Sequence, residues 1–142
     1  MKKNIAIVII LAFVFFGFKS DVRTEPKKSG IAFFKGSLKE ALAVAKVENK
    51  FIFADVYATW CGPCKKLKTT FKDAEVGAYF NKNFINIRID GETEDGIKWR
   101  NRYGVRSYPT LLIIGSDGNV KTRAEGFMKP RILINFGRRI MP

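Results

Sequence analysis

Residues 51–71 constrain this chain more than any other stretch. Phe51 to Tyr57 reads FIFADVY, a short apolar run rich in strand formers, which suits a buried central strand. Thr59 to Cys64 forms a turn, and a helix follows through Leu67 and Phe71. The junction is Trp60-Cys61-Gly62-Pro63-Cys64-Lys65. Cysteines at this spacing across a helix start can close a disulfide without large backbone movement. Cys61 falls at the helix amino terminus, where unpaired backbone N–H groups and the helix dipole stabilise a thiolate. Such placement brings a cysteine pKa from about 8.5 to about 7, roughly 2 kcal/mol of thiolate stabilisation. Pro63 fits an early helical position, where a missing N–H costs nothing.

Absences narrow the chemistry further. The chain holds two cysteines and no histidine. Nucleophile pairs that need histidine are therefore excluded, and a structural disulfide framework beyond this pair is excluded too. A structural zinc takes four ligands, normally Cys or His, so two cysteines make half a site. A c-type haem attachment needs histidine after Cys64, and Lys65 stands there. Two readings of the pair stand on these grounds: inert buried thiols or a reactive dithiol. The strand–turn–helix setting favours the second.

Length and charge bound the rest. A chain of 142 residues, 46% hydrophobic with thirteen Phe, builds one compact domain with a real core. The formal charge is +13. Its basic residues, among them Lys65, Lys66, Lys68, Arg100, Arg102, Arg106, Arg138 and Arg139, are scattered and sit beside no nucleic-acid motif. We read them as a solvated basic surface and expect no nucleic-acid partner.

The amino terminus is set apart. Met1-Lys2-Lys3 precedes an unbroken apolar run from Ile5 to Phe18, the pattern of an export signal. The run is shorter than the roughly 20 residues that span a bilayer comfortably. No small-x-small cleavage site follows, because Phe18 precedes Ser20 and Phe15 precedes Gly17 at that spacing. No cysteine there can carry a lipid. Residues 1–20 are thus expected to be a signal peptide or an amino-terminal membrane anchor, with the tether running through residues 5–18. The domain is expected on the periplasmic or extracytoplasmic side, although Lys19, Arg23, Lys27 and Lys28 after the run oppose the usual charge rule. Residues 21–35 are expected to hold a polar linker with Pro26 and then a first strand at Ile31–Phe34.

The folded domain is expected over residues 36–142. Ser37 and Glu40 make a capping-box pattern, and a helix with Leu38, Ala41, Leu42 and Ala45 on one face runs to about Asn49. A short helix is expected over Val76–Phe80, a strand over Phe84–Asp90, and a polar helix over Glu94–Tyr103 anchored by Ile97 and Trp99. A hairpin follows, with Thr110–Ile114 and the strand from Val120 joined through Ser116–Asn119. Lys129–Ile140 closes the chain as a helix with Ile132, Leu133 and Phe136 inward. The order β-α-β-α-β-α-β-β-α makes an α/β domain, with a mixed central sheet and helices on both faces.

Two separated segments, VYATWCGPCKKL and YGVRSYPTLLII, resemble the active site and the cis-proline segment of thioredoxins. The resemblance covers Gly36 to Pro142 and implies a thioredoxin-like fold. It also implies a thiol–disulfide oxidoreductase without a cofactor or a metal. Cys61 becomes the exposed attacking thiol and Cys64 the shielded resolving one, the two together forming the redox-active disulfide. Pro109 becomes a cis-proline beside them. Trp60, Gly62, Pro63, Tyr108 and Pro109 become the surface that receives disulfide-containing protein substrates. Asp55, a lone carboxylate in an apolar strand, becomes a buried group that helps take the proton from Cys64. Another protein must restore the dithiol.

Two departures from the family pattern stand out. Asn86 occupies the place of a lysine that often neighbours the buried aspartate, so Asp55 is expected to lack a cationic partner. Tyr108 stands where bacterial thioredoxins often carry isoleucine, and this context is similar to protein disulfide isomerases. Gly62-Pro63 favours a reductant. An oxidant or isomerase, and a binding module without turnover, are the rival readings.

Overall fold

The computed structural model describes residues 29–141. Helix α1, Leu38–Val47, starts at Ser37, whose side chain accepts the Glu40 N–H while Glu40 reaches back to the Ser37 N–H at 2.7 Å. Strand β1, Phe51–Tyr57, leads into α2, Gly62–Phe71. Helix α3, Ala74–Asn83, is longer than the expected Val76–Phe80, because Asp73 caps it by accepting from the Glu75 and Val76 N–H groups. Strand β2, Phe84–Asp90, is followed by α4, Glu94–Tyr103. Strands β3, Thr110–Ile114, and β4, Val120–Glu125, form the hairpin, and α5, Pro130–Arg138, closes the fold.

The sheet order is β2-β1-β3-β4, with β1 and β2 parallel and the other pairs antiparallel. Alternation along each strand divides the core in two. Ile52, Ala54 and Val56 face one way with Ile85, Ile87, Ile89, Leu112 and Ile114, under Ala41 and Ala45 of α1 and Trp99 and Tyr103 of α4. Phe53, Phe84, Leu111 and Ile113 face the other way, under Leu67 and Phe71 of α2, Val76 and Phe80 of α3, and Leu133 and Phe136 of α5. The expected mixed sheet with helices on both faces is therefore present.

Four expectations are corrected. Ile31–Phe34 forms no strand. It crosses the outer side of β2 as a strap with one backbone bond to that strand, Phe34 N–H to the Asn86 carbonyl at 2.7 Å. Side chains take the place of a ladder: Asn81 accepts the Ala32 N–H at 2.8 Å and donates to the Gly30 carbonyl at 3.0 Å. The element order accordingly opens on a helix, with two helices between β1 and β2. Ile97 is 45% exposed and Ile132 is 53% exposed, so neither is an inward anchor. In α4, Gly96, Trp99 and Tyr103 take the inner face, and in α5 the stripe runs through Leu133, Phe136 and Gly137.

The apolar run Ile5–Phe18 and the linker before Ser29 lie outside the described residues. Among the described residues no helix is long and apolar enough to cross a membrane.

Candidate active site

The end of β1 delivers the chain to the site. Cys61 caps α2 and Pro63 occupies its first turn. The Cys61 Sγ accepts the Cys64 N–H at 3.2 Å, and the two cysteines are joined as a disulfide with their Cα atoms 5.3 Å apart. Sulfur thus sits where the orphan amides of a helix start converge, which favours negative charge on it. The first turn of α2 holds no acid to oppose that effect.

Both cysteines are only 3% exposed in this oxidised state. Ala58, Tyr57 and Tyr108 pack around the pair and cover it. Gly62 and Pro63, between the cysteines, remain exposed.

The second segment folds onto the first. The Tyr108–Pro109 peptide bond is cis. Pro109 is buried, and the Tyr108 ring meets Trp60 edge-on with centroids 5.9 Å apart. Trp60 is otherwise 68% exposed, a large apolar surface beside the disulfide. The loop is held by the Thr110 hydroxyl, which donates to the Ser107 carbonyl at 2.7 Å.

Tyr108 is fixed by residues that the two motifs do not contain. Its hydroxyl donates to Glu92 at 2.7 Å, and Arg100 donates to the same Glu92 oxygen at 3.2 Å. Burial first, then the Glu92 hydrogen bond, pushes the Tyr108 phenol up to about 12. Gly91 makes room for this ring, since a Cβ there would collide with the Tyr108 hydroxyl and ring carbons. Nothing in the pattern of GETEDG marks Glu92 or Gly91 beforehand. Only the folded return of β3 brings Tyr108 to them.

Asp55 is buried at 1% exposure, and it is not alone. Arg88 donates from Nε to its Oδ2 at 2.8 Å, which corrects the expectation that Asp55 lacks a cation. The reason is register. In the parallel β1–β2 ladder Asp55 stands opposite Arg88, whereas Asn86 stands opposite Phe53. Laying FIFADVY directly over FINIRID pairs their fifth residues, so this contact was available to sequence reasoning. The Arg88 guanidinium lies 4.1 Å from the Tyr57 ring centroid, a stacking that favours a cation. Burial nevertheless holds the Asp55 carboxyl above its ordinary value of 3.8, against the pull of Arg88 and Lys68. Its Oδ1 has no partner.

Asp55 lies on the α2 side of β1. Tyr57, two residues on, packs on the cysteines, and Phe53, two residues back, meets Phe71 with centroids 6.1 Å apart. Cys64, Lys68 and Phe71 follow one face of α2 at helical spacing. Asp55 therefore faces the part of α2 that runs from Cys64 to Phe71. The arrangement combines a cysteine pair at a helix start, an exposed apolar surface and a buried carboxylate on one side of the sheet. Among the described residues no group of three or more His, Cys, Asp or Glu is placed to hold a metal ion.

Residues 38–140 match the thioredoxin-like domain family. The chain belongs to that family. Within it, this thioredoxin-like chain is similar to a Bacteroides thetaiotaomicron protein described as a candidate disulphide isomerase. The two are 46% identical with a TM-score of 0.69, over 78% of this chain and 92% of that one. Thioredoxin from Bacillus subtilis is 33% identical over 87 residues, 61% of this chain and 78% of its own length. The thiol:disulfide interchange protein DsbD of Pseudoalteromonas atlantica is 31% identical over 94 residues, 63% of this chain. This chain spans only 16% of that DsbD, and 20% of a protein disulfide isomerase-like protein of rice. The paired cysteines and these relatives together support thiol–disulfide oxidoreductase activity for the thioredoxin-like chain.

Proposed function

We propose that the chain reduces disulfides in protein substrates on the extracytoplasmic side of a membrane, with Cys61 attacking and Cys64 resolving. The observation that carries this reading is the Cys61–Cys64 pair at the start of α2 with Gly62-Pro63 exposed between the cysteines. The reduced protein presents the Cys61 thiolate. It attacks one sulfur of a substrate disulfide, forms a mixed disulfide and expels the other substrate sulfur as a thiolate, which takes a proton. Cys64 gives its proton to Asp55 and attacks the Cys61 sulfur. The second substrate sulfur leaves as a thiolate and takes a proton, and the protein retains the disulfide. Two electrons pass to the substrate, and a partner protein must return them. Trp60, Tyr108 and Pro109 supply the receiving surface.

The extracytoplasmic placement is supported by the basic start and the apolar run Ile5–Phe18, read as a signal or anchor within residues 1–20. Likeness to a thiol:disulfide interchange protein supports it as well. A second reading, an isomerase, is favoured by Tyr108 before Pro109 and by the Bacteroides relative. Equilibration with glutathione buffers separates the two. A potential near the roughly −270 mV of thioredoxins supports the reductant, and one near about −180 mV places the chain with isomerases.

A further inference from the structure

We propose that the disulfide face extends along α2 into a groove that docks acidic polypeptide, so that the preferred substrates are disulfide proteins with carboxylates flanking the reacting cysteines. This rests on thiol–disulfide exchange at Cys61 and Cys64 and names the substrate class for it.

The groove holds about 590 Å³ and is lined by Lys66, Thr69, Thr70, Lys72, Asp73, Phe127 and Pro130. Two hydrogen bonds tie its walls to the elements that carry the disulfide face. The Gly126 N–H donates to the Pro109 carbonyl at 2.8 Å, so the residue next to Phe127 is bonded to the proline beside the cysteines. The Thr70 hydroxyl donates to the Met128 carbonyl at 2.8 Å and ties the same loop to α2. Phe127 is 43% exposed and offers an apolar contact midway.

Lys65, Lys66, Lys72 and Arg106 along this path are exposed and enter no ion pair, while Lys68, also exposed, is drawn toward Asp55. The ion pairs among the described residues engage Lys50, Arg88, Lys98, Arg100 and Lys121, none of them on α2. Three nearby acids are engaged in other contacts. Asp73 caps α3, Glu92 holds Tyr108 and Arg100, and Glu125 accepts from Ser107 at 2.6 Å. A face of unneutralised lysines around an apolar contact attracts acidic chain and repels basic chain.

The test uses the full-length protein and two synthetic peptides with the same intramolecular disulfide loop, one flanked by Glu and one by Lys. Rates are measured for reduced protein on oxidised peptides and for oxidised protein on reduced peptides. Each is divided by the same peptide's rate with reduced or oxidised dithiothreitol. The acidic peptide is expected to lead by about tenfold at low salt in both directions. The lead should shrink below about twofold when salt shortens the screening length to a few ångströms. Lys66→Glu with Lys72→Glu should abolish or invert the preference. Lys39→Glu with Lys46→Glu, an equal charge change on α1 across the sheet, should keep it. A lead under about twofold at low salt, a lead insensitive to salt, or equal loss in both double variants overturns the proposal. If the chain is not a reductant, oxidised peptides react slowly while the acidic preference persists in the opposite direction. No exchange with either peptide in either direction overturns both readings.

Discussion

Asp55 and Arg88 meet across the β1–β2 ladder at 2.8 Å, with the carboxylate sealed from solvent and the guanidinium stacked on Tyr57. A buried ion pair of this kind resists loss of one partner more than loss of both, because the survivor keeps its desolvation cost. Arg88→Met should therefore destabilise the domain by about 3 kcal/mol at neutral pH. The double change Asp55→Asn, Arg88→Met should recover part of that loss. Urea unfolding of the three proteins checks this, and a double variant less stable than Arg88→Met alone contradicts it.

The pH dependence follows from the same carboxyl. Burial raises the folded-state pKa of Asp55 above its ordinary 3.8, so the folded chain holds this proton more tightly than the unfolded chain does. That contribution is complete below pH 3.8 and is lost as pH rises through the raised value. Asp55→Asn has no proton to lose. Its stability relative to the parent should improve as pH is raised from 3.8 through the raised value and level off above it. A flat or falling difference in paired urea titrations contradicts the burial of an ionisable group at this position.

Asp55 should also matter kinetically. Asp55→Asn is expected to slow release of the mixed disulfide by about tenfold or more while leaving its formation within a few fold, since general base help is worth ~10²–10⁴ at most. Rapid quenching of single-turnover mixtures resolves the two steps. Equal slowing of both steps assigns Asp55 a structural part only.

Much of this was legible in the sequence, and for identifiable reasons. The strands Phe51–Tyr57 and Phe84–Asp90 and the helix Glu94–Tyr103 have the bounds their patterns indicate, because period and turn residues agree there. Ile31–Phe34 looked like a strand since its residues suit one. Whether it pairs depends on Asn81 and Asn86, whose amides occupy the bonding positions. Ile97 and Ile132 misled because a short helix offers several stripes, and the neighbours decide which is covered. Arg88 was missed because family position was followed where strand register decides the contact. Glu92, Arg100 and Gly91 carry no local signal, since they acquire meaning only through Tyr108.

The Tyr108 clamp has a spectroscopic signature. With its phenol held up to about 12, Tyr108 should be absent from the tyrosinate signal gained between pH 9 and 11, a range centred on the ordinary value of about 10. Glu92→Gln removes the charged acceptor and should lower that titration toward the ordinary value, and Tyr108→Phe should leave the early signal unchanged. A lower early signal in Tyr108→Phe contradicts the clamp.

The division of labour between the two cysteines is tested most directly by trapping. Reduced Cys64→Ser protein is mixed with a disulfide-bonded peptide at pH 7, and the covalent adducts are located by peptide mapping. The expected result is a stable mixed disulfide on Cys61, with no comparable adduct formed at Cys64 by the reduced Cys61→Ser protein. Capture at Cys64 in preference to Cys61, or capture by neither, contradicts it.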